Sequence, residues 1–205
     1  IKCANEHSSD INSIGIDTWG VDFGLLDKQG NLLGNPYHYR DSRTEGVVEK
    51  VLEIIPEDRL YSLTGTQLMN INTLIQLFSM KLGKSPIFQQ AHTLLFTPDL
   101  LGYFLTGEKV SEYSIASTSQ MLDIQNSKWR YEILDELGIP TDMLCDVIPC
   151  GTKVGILTKE VRQQTGMGRV QLTAATGHDT QAAIASVPAA DDNFAFISSG
   201  TWSLM

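Results

Sequence analysis

One stretch limits what this chain can fold into more than any other. Residues 170–175 form an apolar, strand-like run, Thr176-Gly177-His178-Asp179-Thr180-Gln181 follows, and an alanine-rich helical segment occupies residues 181–187. A strand that passes through a short polar turn into a helix is the building unit of α/β folds. In open α/β sheets, ligands bind at the carboxyl ends of strands, where such junctions lie, so Asp179 is positioned to take a proton from a bound group. Asp or Thr ahead of Gln-Ala-Ala-Ile-Ala also has the composition of a helix N-cap, and taken alone the run suits that local role better.

Two further segments read as turns that bring backbone close to a ligand: Asp17-Thr18-Trp19-Gly20-Val21-Asp22-Phe23 and Ser198-Ser199-Gly200-Thr201-Trp202-Ser203-Leu204. Around the first, residues 13–17 and 21–26 read as short extended pieces, with a turn at Asp27-Lys28-Gln29-Gly30. The spacing of Val47, Val48, Val51 and Leu52 predicts an amphipathic helix over 43–53 that stops before Pro56, and residues 57–63 and 73–82 suit two more. Thr97-Pro98 opens a helix with Leu100, Leu101, Phe104 and Leu105 on its buried side, ended by Thr106-Gly107. A last amphipathic helix is predicted over 128–137, closed by Gly138, and a loop around 149–155. Asp191-Asp192-Asn193 reads as a boundary, with residues 194–197 and 202–205 as arms of a hairpin around Ser198-Ser199-Gly200-Thr201.

The balance of 15 basic against 24 acidic side chains gives a net charge of −9 with no lysine or arginine cluster, which argues against nucleic acid and anionic membranes as partners. No apolar run reaches the roughly 18–20 residues of a membrane span. The start, Ile1-Lys2-Cys3-Ala4-Asn5-Glu6, lacks a signal-peptide layout, so a cytoplasmic location is expected. The three cysteines include Cys145 and Cys150, which fall outside the Cys-x-x-Cys pattern, and are read as reduced thiols. His7, His38, His92 and His178 have no paired ligand spacing, so no protein-bound metal is expected. An apolar share of 42% over 205 residues is ordinary for a soluble globular chain with one large domain.

Four segments occur in a telling order: Asp17-Thr18-Trp19-Gly20-Val21-Asp22-Phe23, Tyr37-His38-Tyr39-Arg40-Asp41-Ser42-Arg43, Gly177-His178-Asp179-Thr180 and Ser198-Ser199-Gly200-Thr201-Trp202. In this order they resemble the FGGY family of carbohydrate kinases. Pro98-Asp99-Leu100-Leu101-Gly102-Tyr103-Phe104-Leu105-Thr106-Gly107, Ser114-Ile115-Ala116-Ser117, Leu137-Gly138-Ile139-Pro140 and Val154-Gly155-Ile156-Leu157-Thr158 continue the likeness, which spans nearly the whole chain. The resemblance implies an α/β, ribonuclease-H-like domain of the actin and hexokinase type with helical insertions, one of two domains facing a cleft. Residues 1–190 are then expected to be the amino-terminal FGGY domain without its first strands and phosphate loop. Residues 191–205 are expected to be the first hairpin of the carboxy-terminal domain, and the chain an internal fragment, inactive by itself.

The resemblance also implies the chemistry: transfer of the terminal phosphate of ATP, with Mg2+ arriving on the nucleotide, to a ketose. L-rhamnulose is the expected acceptor, with L-fuculose or another ketose or polyol as the alternative; a non-catalytic sugar-binding module is the alternative of another class. Asp179 is implied as general base, a role open to a carboxylate with a reference pKa near 3.9, which is ionised at neutral pH. His178 and Thr180 are implied as partners of sugar hydroxyls, since each can donate and accept. Gly20 would let a backbone amide approach the sugar, and Trp19 would either stack on it or pack in the core. Asp17 is preferred over Asp22 as a further hydroxyl acceptor. Arg40, Asp41 and Arg43 suit a surface-paired turn at the cleft rim. Ser199, Gly200 and Thr201 are implied to grip ATP, as an anion nest of amides and hydroxyls.

Overall fold

A computed structural model describes residue 6 and residues 11–191 and 193–205. Cys3, His7 and Asp192, named above, lie outside the described residues. Strand β1 (Ser13–Ile14) runs parallel to a strand near the other end of the chain, β9 (Gln171–Thr173), with Ser13 opposite Gln171 and Ile14 opposite Leu172. On its other side β9 pairs antiparallel with β8 (Lys153–Ile156). The parallel pairing does not stop at β1, because an isolated bridge joins Thr18 to His178 beyond the strand ends.

The centre is built on β2 (Phe23–Leu26) and β3 (Thr93–Phe96), antiparallel with Phe23 opposite Phe96 and Leu25 opposite Leu94. All eight residues are buried, so both faces of this ribbon are covered. Phe23, Leu25, Leu94 and Phe96 point into the main core, while Leu26 and Leu95 pack with Leu100 on the reverse side. Burial on two faces favours a continuous apolar run over alternation.

Helices α1 (Val47–Leu52), α2 (Glu57–Thr64) and α3 (Thr73–Leu82) cover the main core. The predicted helix over 43–53 is interrupted: Ser42–Thr44 make a 3-10 turn, and Gly46 at φ 70° breaks the path before α1 starts. A short α4 (Pro86–Gln90), capped by Ser85, leads into β3. Helix α5 (Thr97–Thr106) follows directly, with Pro98 in its first turn and Gly107 at φ 80° as its stop. Leu100 is buried as predicted, but Leu101 and Phe104 are 43% and 47% exposed, because the inward face of α5 is the one carrying Pro98, Asp99 and Gly102.

Strand β4 (Ser111–Glu112) turns at once into α6 (Tyr113–Ala116), and β5 (Leu122–Asp123) pairs with β6 (Lys128–Trp129). Helix α7 (Tyr131–Leu137) therefore starts three residues later than predicted. The Trp129 side chain explains this: it is buried in the core and its indole donates to the Cys145 carbonyl at 2.8 Å, which holds residues 128–129 extended. Strand β7 (Val147–Ile148) lies parallel to β4, α8 (Lys159–Thr165) links β8 to β9, and α9 (Asp179–Ala185) leaves the β9 end of the sheet. The terminal hairpin is shorter than predicted and its first arm is displaced, since residues 194–197 are not strand and the arm falls within the predicted turn. Its arms are β10 (Ser198–Ser199) and β11 (Ser203–Leu204), since Gly200 N–H closes the turn on the Trp202 carbonyl at 2.9 Å. Among the described residues, no helix is long and apolar enough to cross a membrane.

Candidate active site

Two chain segments meet at the carboxyl ends of β1 and β9. Thr18 N–H donates to the Gly177 carbonyl and Asp179 N–H donates to the Thr18 carbonyl, both at 2.9 Å, so Thr18-Trp19-Gly20 and Gly177-His178-Asp179 lie side by side. This is the position at which open α/β sheets take ligands. A cleft of about 570 Å³ opens there, lined by Trp19, Gly20, His178, Asp179 and Thr180 on one wall and by Gly200 and Thr201 on the other. Its size lies within the range of small-molecule sites. Asp17 and Ser199 are exposed and lie outside this lining.

His178 occupies the N-cap position of α9, and Asp179 is the first helical residue. The Asp179 Oδ1 accepts from Thr180 N–H at 2.6 Å and from the Thr180 hydroxyl at 3.2 Å, while Oδ2 makes no hydrogen bond to the described residues. One carboxylate oxygen is thus held by Thr180, while the side chain as a whole is half exposed and lines the cleft. A carboxylate so held can accept a proton from a hydroxyl placed within reach. Burial holds the His178 imidazole below its ordinary pKa, against the pull of the Asp179 and Glu112 carboxylates, so the ring is neutral at pH 7. Its Nδ1 is buried and has no partner among the described residues.

Trp19 is 46% exposed toward the cleft while its indole N–H donates to Asp22 Oδ2 at 2.7 Å. Asp22 is therefore an internal anchor for Trp19. Burial pushes its carboxyl pKa up, opposed chiefly by that indole hydrogen bond. Val21 has φ 66°, a left-handed conformation that a β-branched side chain resists. It is held there by its N–H donating to the Thr118 hydroxyl at 3.0 Å and by the Thr73 hydroxyl donating to its carbonyl at 2.7 Å. Strain of this kind is kept where surrounding contacts over-determine a turn. At Gly20 an added Cβ would stand 3.0 Å from Thr118 Cγ2, so the turn also needs a small residue.

The surface pairing expected of Arg40, Asp41 and Arg43 is not found: Arg40 and Asp41 are exposed, and Arg43 turns inward. Asp41 accepts from Arg43 N–H at 2.9 Å as a turn cap, and the Arg43 guanidinium lies 4.0 Å over the Tyr37 ring and donates to Gln76 Oε1 at 2.5 Å. No ion pair joins the three among the described residues. Gln76 in turn donates to the Val21 carbonyl at 3.3 Å, so Arg43 supports the strained turn from behind.

Several lining residues escaped sequence reasoning. Asn72 and Thr118 close the cleft floor, with Asn72 Nδ2 donating to the Thr118 carbonyl at 3.3 Å. A buried layer behind the loop was missed as well. Asp99, in the first turn of α5, accepts the Glu112 N–H at 3.2 and 3.3 Å, and burial, reinforced by the nearby Glu112 charge and opposed by that hydrogen bond, pushes its pKa up from 3.8 to about 8. The unfolded chain loses this proton near pH 4 and the folded chain keeps it to about pH 8, so the contribution to stability is full below pH 4 and fades as pH rises to 8. Asp99→Asn keeps a carbonyl for the Glu112 amide and removes the titration. The melting temperature of this variant, relative to wild type, is expected to rise from pH 5 to about pH 8 and to level off above it. A pH-independent difference in parallel melts would show that Asp99 does not retain its proton.

Residues 1–186 match the family model described as the FGGY family of carbohydrate kinases, N-terminal domain. A rhamnulokinase from Bacteroides thetaiotaomicron is 45% identical over 205 residues, which is all of this chain and 42% of that protein. A rhamnulokinase from Oceanobacillus iheyensis is 38% identical over the same span, 43% of its own length. The chain thus spans about two fifths of the curated relatives it matches. Among solved structures, a ligand-bound xylulose kinase from Lactobacillus acidophilus superposes with a TM-score of 0.79 at 18% identity, over 87% of this chain and 36% of that one. A Plasmodium falciparum glycerol kinase with ADP gives 0.74 at 18% identity, over 84% and 35%. At such identities the superpositions speak for a common fold, that of the α/β sugar kinases.

Proposed function

Because this chain belongs to the FGGY family of carbohydrate kinases, we propose that the protein carrying it transfers the terminal phosphoryl group of ATP to L-rhamnulose, giving L-rhamnulose 1-phosphate. One observation carries the reading furthest: the Asp179 carboxylate and the Gly200-Thr201 turn share a single cleft at the carboxyl ends of two parallel strands. Similarity to rhamnulokinases along the whole of this chain, about two fifths of their length, supports the choice of sugar.

Phosphoryl transfer passes through a loose transition state, so positioning and charge neutralisation carry most of the catalysis. In this reading Asp179 accepts the proton of the attacking hydroxyl as the new O–P bond forms and the bond to the ADP oxygen breaks. Thr180 aims that carboxylate. Neutral His178 can donate to and accept from sugar hydroxyls, Gly20 offers backbone at close range, and Trp19, pinned by Asp22, offers a ring face. Asp17 and Ser199 flank the cleft and are assigned supporting contacts only.

The residues of the second wall fit a phosphate chain. Open space surrounds the position a Cβ would take at Gly200, and the Thr201 hydroxyl lies on the same wall. The Gly200 N–H is engaged by the Trp202 carbonyl, so the Thr201 amide and hydroxyl are the groups this turn offers to an anion. Magnesium would enter on the nucleotide and neutralise phosphate charge. Residues 191–205 fit the opening hairpin of a second domain that completes the nucleotide pocket, and the proposed site of action is the cytoplasm.

The test is a coupled ATP-consumption assay on the full-length protein with L-rhamnulose, L-fuculose and D-xylulose. L-rhamnulose is expected to give the highest kcat/KM, by about tenfold or more. ATP binding without turnover of any of the three ketoses would replace L-rhamnulose with another polyol substrate or the kinase reading with a non-catalytic sugar-binding module.

A further inference from the structure

We infer that Glu112 and Ser114 are positioning residues for Asp179, clamping the two backbone amides that immediately precede it. The inference rests on the reading of Asp179 above. Gly177 N–H donates to Glu112 Oε2 at 3.0 Å, and His178 N–H donates to Ser114 Oγ at 3.2 Å. The two clamping side chains are themselves joined, the Ser114 hydroxyl donating to Glu112 Oε2 at 2.5 Å. Both residues are 3% exposed. Water therefore does not compete for these bonds, and a buried charge-assisted network holds its geometry more firmly than neutral surface contacts.

The residue types point to the loop and not merely to α6. Glu112 caps α6 by accepting from Ile115 N–H at 3.1 Å, a task for which Ser, Asp and Asn are the usual choices. A longer side chain is needed to reach across to Gly177, 65 residues away in sequence. Gly177 is matched to it, since a Cβ there would lie 2.9 Å from Glu112 Oε2. The clamp continues into α9, where Gln181 Nε2 donates to Ser117 Oγ at 2.9 Å and to the Ser114 carbonyl at 3.3 Å. With Thr18 pairing on the opposite edge, the loop is gripped from both sides. The direction from which the Asp179 carboxylate meets its acceptor is fixed by these contacts, none of which touches the acceptor.

The experiment uses the full-length protein and three variants, Ser114→Ala, Glu112→Ala and Glu112→Gln. Ser114→Ala is the mild lesion. It is expected to lower kcat about tenfold with KM for sugar and ATP within about twofold, because a displaced catalytic group costs turnover more than binding. Amide hydrogen exchange at residues 177–178 is expected to accelerate about tenfold while β2 and β3 stay protected. A Gln carbonyl can take the place of Oε2 and its amide nitrogen that of Oε1, which has no partner among the described residues. Glu112→Gln should therefore recover most of the kcat that Glu112→Ala loses. Unchanged exchange at residues 177–178 in Ser114→Ala overturns the clamp, and so does faster exchange with unchanged kcat. Should wild type turn over no ketose, the functional reading fails separately, and the exchange rates alone decide whether the clamp exists.

Discussion

Asp179→Asn in the full-length protein is expected to lower kcat by about 10²- to 10⁴-fold, the range associated with loss of a general base. The substitution is nearly isosteric, and its amide oxygen can keep both bonds from Thr180 that Oδ1 now accepts. The loop stays clamped through Gly177 and His178, whose partners are untouched. KM for the sugar should change little, because the removed property is basicity and not contact. Steady-state kinetics with a melting curve in parallel check this. A fall in kcat smaller than about tenfold with an unaltered melt would remove Asp179 from the proposed role.

Phe96→Ala is expected to cost about 3–5 kcal/mol of stability, the largest effect of any single truncation considered for this fold. Phe96 is fully buried, faces Phe23 across the β2–β3 ribbon and stacks near Trp129 with ring centroids 6.4 Å apart. The site would suffer with it, since the next residue, Thr97, ties α5 to the Trp19 turn by donating from its hydroxyl to the Asp22 carbonyl at 3.1 Å. Phe96→Leu retains most of the volume and should cost less than about 1.5 kcal/mol. Urea denaturation of both variants measures the difference; equal midpoints for the two would mean that the core relaxes around the missing ring.

The parts of this molecule that were legible in the sequence are those whose signals are local. The strand leading to Gly177, the helix after it (α9, which starts and ends two residues before the predicted 181–187), the proline-started α5 and the glycine stops at 107 and 138 all follow from residues within a turn of one another. Strand β3 was not legible, because Thr93-Leu94-Leu95-Phe96 is a continuous apolar run without the alternation that marks a half-buried strand. The Lys128–Trp129 strand was hidden for another reason: its helix-like spacing is overridden by one tryptophan that finds a core pocket and a carbonyl. At the cleft, Trp19, Gly20, His178, Asp179, Thr180, Gly200 and Thr201 were marked by turn chemistry and motif order and meet in space. Glu112, Asn72 and Thr118 carry no local mark, since what they do depends on residues that only the tertiary fold brings to them.

The pairing of β1 with β9 has a consequence in time as well as in space. The Ser13 and Thr173 hydroxyls that meet across it at 3.0 Å are 160 residues apart, so closing that loop costs about 4–5 kcal/mol of chain entropy beyond a constant term. The main core around β2 and β3 draws its buried residues from positions 23 to 143, all of which precede β9 in the chain. During synthesis the hydrophobic centre therefore precedes the cleft. A ribosome must deliver residue 178 before Thr18 has a neighbour, and a chain released earlier carries a core without a site.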